Sequence, residues 1–158
     1  MMFALVQSRF RLVLAVGTVL LALGAAAQVK GTEDARTKEL KEKVANARIV
    51  DRPPLCLQIA ERQLGAAGRL FDMGDSEQAK AALTDVVAFS ELARDYAIQS
   101  RKHEKQSEIT IRKMTRKLAD MKHAVTHEEQ TEVQTTIERL QRIRDDLLVA
   151  MFPKVGNK

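Results

Sequence analysis

Three histidines are the residues of this chain best suited to chemistry. His123 and His127 stand four apart, the spacing that puts two imidazoles on one helix face where they could ligate a divalent metal, and Glu128 and Glu129 follow as oxygen donors. The local sequence argues for a different role. Thr126-His127-Glu128-Glu129 is a capping box, in which the Thr126 hydroxyl and the Glu129 carboxylate satisfy backbone donors at a helix start. A helix end then falls between the two histidines. His103 sits in a polar stretch far from both. All three are therefore read as solvated surface histidines, with no metal and no cofactor.

Cys56 is the single cysteine, so no internal disulfide can form. Its setting, Leu55-Cys56-Leu57, reads as a small buried hydrophobe. No catalytic constellation is present: the chain has no glycine-rich phosphate loop, no Gly-x-Ser-x-Gly elbow and no His-Glu-x-x-His. The expectation is a protein that is not an enzyme. A basic run offers binding instead. Arg101, Lys102, Lys105, Arg112, Lys113, Arg116, Lys117 and Lys122 face only Glu104, Glu108 and Asp120. Arg112 and Arg116, and Lys113 and Lys117, stack at four-residue steps, which makes a candidate docking strip for an anionic surface.

The elements that would carry these residues are all helical. No alternating apolar pattern marks a strand. Residues 28–53 form a charged lead segment, partly helical or disordered, with Leu40, Val44, Ala47 and Ile49 as a thin stripe that buries little and a helix expected from about Glu33 to Ala47. Pro54 then opens a helix to Asp72, because proline lacks only a donor that the first turn leaves unused. Leu57, Ala60, Leu64, Ala67 and Phe71 line one face of it. Gly74 suits the left-handed cap that ends it, and Asp75 or Ser76 starts the next helix.

No breaker follows until Thr126, so one central helix is expected over 76–124, about 70 Å long. Its seam steps by three and four through Leu83, Val86, Ser90, Ala93, Ala97, Ser100, Glu104, Ser107, Ile111, Met114, Leu118, Met121 and Val125. The last helix runs from His127 to Phe152 with Val133, Ile137, Leu140, Ile143 or Arg144, Leu147 and Met151 inward, and 153–158 is a tail. Short turns make the outer helices antiparallel neighbours of the central one. The expected fold is all-α: elongated antiparallel hairpins sharing one long helix over 54–152. If the helix breaks within 99–107, the alternative is a compact four-helix bundle.

The N-terminus addresses the chain. Arg9 and Arg11 precede an apolar run, Leu12 to Leu23, and Ala25-Ala26-Ala27 fits signal-peptidase cleavage. The run is short for a membrane span, which wants about 20 apolar residues. Residues 1–27 thus read as a cleavable signal peptide, and the protein as exported, periplasmic or extracellular. Losing that segment removes two arginines and no acid from a net charge of +5, leaving a mild surplus. With aromatics at 4% and no tryptophan, the chain lacks the stacking faces of a nucleic-acid binder.

Leu70-Phe71-Asp72-Met73-Gly74-Asp75-Ser76-Glu77-Gln78-Ala79 resembles the turn of a tetratricopeptide repeat, over residues 66–88 only and without a second copy. The signal together with the long helical region resembles uncharacterised exported helical-hairpin proteins of bacteria, a likeness that implies no activity. Periplasmic chaperone hairpins carry paired Leu-Thr-x-x-Gln motifs; Leu83-Thr84-Asp85-Val86-Val87 lacks the glutamine and occurs once. The expected function is an interaction or structural module of the cell envelope, meeting a protein partner, a second copy or an anionic envelope surface, with a chaperone-like or metal-sensing hairpin as the alternative. Intact-mass analysis of the envelope fraction should show loss of residues 1–27; a full-length mass in the membrane pellet would contradict the signal.

Overall fold

In the computed structural model the structure describes residues 34–153. The expected signal peptide, residues 1–27, and the tail beyond 153 lie outside the described residues. Those described form five α-helices and no strand: α1 Ala35–Asn46, α2 Arg52–Asp72, α3 Ser76–Ser100, α4 Glu104–Ala124 and α5 His127–Met151. A single 3₁₀ turn, Ile49–Asp51, leads into α2. Among the described residues no helix is long and apolar enough to cross a membrane.

The helix ends follow local chemistry at most junctions. Proline occupies the first turn of α2. Gly74 takes φ +76°, and the Asp75 amide donates to the Leu70 carbonyl, closing α2 in the left-handed manner glycine permits. The Asp75 carboxylate accepts from the Gln78 amide at the start of α3. Glu129 reaches back to the Thr126 amide at 2.9 Å, which opens α5.

The expectation of one central helix over 76–124 is corrected: Arg101-Lys102-His103 interrupts it. Arg101 and His103 both adopt left-handed backbone, at φ 51° and 66°. A left-handed conformation costs a non-glycine residue about 1–2 kcal/mol; backbone hydrogen bonds to the Ala97 and Ile98 carbonyls close α3 at Arg101, but His103 supplies no side-chain hydrogen bond to α4. The sequence carries no stop signal here because the break has no local cause. It is imposed by packing. Each hairpin alone leaves one apolar face open, and folding one hairpin onto the other buries both. The elongated arrangement thereby gives way to the compact four-helix bundle.

Side-chain pairs define how the helices run. Within the first hairpin, Gln63 meets Asp85 and Arg52 meets Tyr96, so α2 and α3 are antiparallel. Within the second, Lys122 meets Gln134 and Arg144 meets Glu108, so α4 and α5 are antiparallel. Between hairpins, Ser76 meets Glu129, Glu91 meets Arg139 and Arg94 meets Asp146. Those partners advance together, so α3 and α5 lie parallel. Met121 of α4 approaches Gly68 of α2, close to the end of each helix. Around the bundle the order is therefore α2, α3, α5, α4.

The two hairpins match. Their helices are 21 and 25 residues long in the first and again 21 and 25 in the second. The buried registers also correspond. Leu57, Ala60 and Leu64 of α2 have counterparts in Ile111, Met114 and Leu118 of α4. Leu83, Val87, Ser90, Ala93 and Ala97 of α3 have counterparts in Val133, Ile137, Leu140, Ile143 and Leu147 of α5. Where α3 turns inward Ser90, Ala93 and Ala97, α5 turns inward leucine and isoleucine. Small against large at matching heights lets facing side chains interdigitate. The Ser90 hydroxyl donates to the Val86 carbonyl, which satisfies it without a partner on another helix.

The seam read from sequence survives the break. Its members from Leu83 to Ala97 and from Ser107 to Leu118 are buried, and Met121 and Val125 pack against the core. Ser100 and Glu104, flanking the interruption, stay partly exposed, as do Met121 and Val125 at the far end. Outside the bundle, α1 lies along α2 with Thr37 and Leu40 buried and Val44 against the core. Asp34 pairs with Arg62 of α2, and the Lys41 ammonium stands 5.5 Å from the Phe89 ring of α3. Truncating Leu118 or Leu140 to alanine should cost about 2–5 kcal/mol in denaturant unfolding, while Lys113→Ala should stay within about 0.5 kcal/mol; an unchanged midpoint for Leu118→Ala would contradict this core.

Candidate interaction surface

The histidines are placed where capping chemistry puts them. His123 lies in the last turn of α4 and His127 opens α5, on opposite sides of the turn and both exposed. His103 is exposed at the other end of the bundle. Glu129 is already committed. Its carboxylate accepts from Ser76 of α3, and from the Thr126 hydroxyl at 2.8 Å and amide at 2.9 Å. Among the described residues no group of three or more His, Cys, Asp or Glu side chains converges as a metal site requires.

Cys56 is fully buried on α2. Burial pushes its thiol up to about 11, with the charge of Arg52 only partly opposing the shift. A thiol so rarely ionised is a poor nucleophile and metal ligand. Two surface grooves stand out among the described residues. One groove, between α3 and α5, is lined by Glu91, Arg94, Arg139, Arg142 and Asp146; another, beside α1, by Glu39, Glu42, Lys43 and Asn46. Both are open to solvent and edged by charge, the groove beside α1 being lined also by Ala47 and Leu55.

The basic strip is the surface feature that remains. Arg112, Lys113, Arg116 and Lys117 are all exposed on the outward side of α4, opposite the buried Ile111, Met114 and Leu118. Lys105 continues the strip toward the start of the helix. From Lys105 to Lys117 it extends about 18 Å along the axis at 1.5 Å per residue. Arg112 stands 3.7 Å from Glu108, a carboxylate held more closely by Arg144 at 2.7 Å. Lys105, Lys113, Arg116 and Lys117 make no ion pair within the described residues. Lys122, counted in the same run, is turned aside to Gln134 at 2.9 Å.

The charges that join the hairpins went unread in the sequence. Glu91–Arg139 and Arg94–Asp146, at 2.9 and 2.8 Å, bridge α3 and α5 at the rim of the core. A signal did exist: each residue flanks a seam position and the signs are opposite, as at the edges of a coiled coil. It could be interpreted only once α3 and α5 were known to be neighbours.

Hydrogen bonds from Ser76 first, then from Thr126, hold the Glu129 carboxyl below its ordinary value of 4.5. A depressed carboxyl adds stability above its unfolded pKa and loses it as pH falls through the lower folded value. Wild-type stability should therefore begin to drop below about pH 5, and Glu129→Gln should be less stable at neutral pH with a shallower acid limb. Parallel acid limbs for the two proteins, measured by urea unfolding across pH, would contradict the assignment.

No protein family, curated protein or solved structure matches this chain, so its function has to be argued from what this surface can do.

Proposed function

We propose that the protein is an exported, non-enzymatic helical module of the cell envelope that docks on an anionic surface through the outer side of α4. The observation that carries this reading is the group Lys105, Lys113, Arg116 and Lys117, exposed in one strip and without acidic partners among the described residues. The opposite side of the same helix is locked into the core, so the cations are presented on a rigid support. Rigidity matters because an ordered array gives up less freedom when a partner binds. A strip about 18 Å long exceeds the Debye length of about 8 Å at physiological salt. Its charges therefore act on an extended surface bearing many anions more than on one small ion.

Lipid headgroups are the simplest such surface. A basic residue near an anionic bilayer contributes about 1 kcal/mol, so neutralising three should weaken binding on the order of a hundredfold. Vesicles rich in phosphatidylglycerol should pellet the protein at low salt, and vesicles of phosphatidylcholine alone should not. The triple variant Lys113→Gln, Arg116→Gln, Lys117→Gln should lose most of that binding while keeping its melting temperature. Equal pelleting by both vesicle types, or binding unchanged in the variant, would overturn the proposal.

A further inference from the structure

Among the described residues, the α3–α4 junction is where non-glycine residues adopt left-handed backbone. Arg101 occupies the left-handed position that usually falls to glycine, with the Lys102 amide donating to the Ala97 carbonyl at 3.2 Å. His103 is left-handed as well, and α4 begins without a side-chain cap. Between Ser76 and Ala124 the sequence has neither glycine nor proline. A straight helix through this region would release both left-handed residues and join the first amides of α4 to the last carbonyls of α3. The bend persists because the two hairpins cover each other.

That cover need not come from the same chain. We infer that the protein exchanges hairpins: the junction straightens, and α4–α5 of one copy packs on α2–α3 of a second copy through the contacts seen within one chain. The topology permits closure. When α4 continues the direction of α3, α5 runs opposite to the α3 of its own chain. The α3 it must accompany in parallel therefore belongs to a copy running the other way. Two copies related by a twofold axis satisfy every interface at once, which makes a closed dimer. Glu91–Arg139, Arg94–Asp146 and Ser76–Glu129 all re-form, now between chains. Short, strained hinges favour such exchange. The inference does not depend on what α4 binds.

The test is oligomeric state with a tag on the exchanged interface. Protein warmed at high concentration and cooled should show a dimer by light scattering that reverts to monomer slowly on dilution. Arg101→Gly with His103→Gly should lower the dimer fraction, since glycine accepts the bend and weakens the straight helix. Alanine at the same two positions should raise it. Chains carrying Glu91→Cys, mixed with chains carrying Arg139→Cys on a Cys56→Ala background, should be joined by a short bismaleimide only after warming together. A protein that stays monomeric, a dimer insensitive to the glycines, or a dimer that gives no crosslink between the two tagged chains would each overturn the inference.

Discussion

The parallel seating of α3 beside α5 is the contact on which the rest of the structure depends. It brings Ser90, Ala93 and Ala97 to the level of Leu140, Ile143 and Leu147, so that small side chains admit large ones and the core closes. It fixes the register at the rim through Glu91–Arg139 and Arg94–Asp146. Such exposed ion pairs contribute at most about 1 kcal/mol each. Their part is to specify which turns lie opposite, while burial supplies the stability. The same contact goes with the bend at Arg101 and His103, two non-glycine residues in left-handed conformation.

Once the hairpins close, the interior is committed to packing. Cys56, Met114 and Leu118, the side chains with the most reactive or adaptable character near the centre, are sealed among aliphatic neighbours. Several polar groups of the bundle are engaged in capping or bridging, Glu129 with Ser76 and Thr126 and Glu108 with Arg144, while the buried Ser107 hydroxyl finds no hydrogen-bond partner among the described residues. What the molecule offers a partner is its outer surface. There α4 stands apart, because Lys105, Lys113, Arg116 and Lys117 project from the side opposite Ile111 and Met114 and make no ion pair among the described residues.

Local features were legible in the sequence wherever the cause was local. The glycine turn at Gly74, the cap at Asp75 and the box of Thr126 and Glu129 each depend on residues within a few positions, and each stands where those residues place it. The seam from Leu83 to Val125 was legible too, since helical periodicity continues across a three-residue interruption. The break itself was not. Residues 99–107 lack any apolar side chain, which marks a weak point, but the decision between a straight and a bent helix lies in contacts between α3 and α5 far apart in the chain. The docking of α1 was missed for a similar reason: Thr37, buried on α2, is not a residue that an apolar stripe would count.

The distance between α3 and α5 within one chain tests the central claim most directly. Thr84 and Thr135 are exposed on α3 and α5, and Cys56 is buried, so spin labels can be directed to cysteines at the two threonine positions. In dilute protein mixed with excess unlabelled chain, the closed bundle predicts a label separation of no more than about 25 Å, since neighbouring helix axes lie only about 8–10 Å apart. A straight helix from 76 to 124 would carry the second hairpin away and set the labels about 50 Å apart at 1.5 Å per residue. A single population at the longer distance would contradict the account.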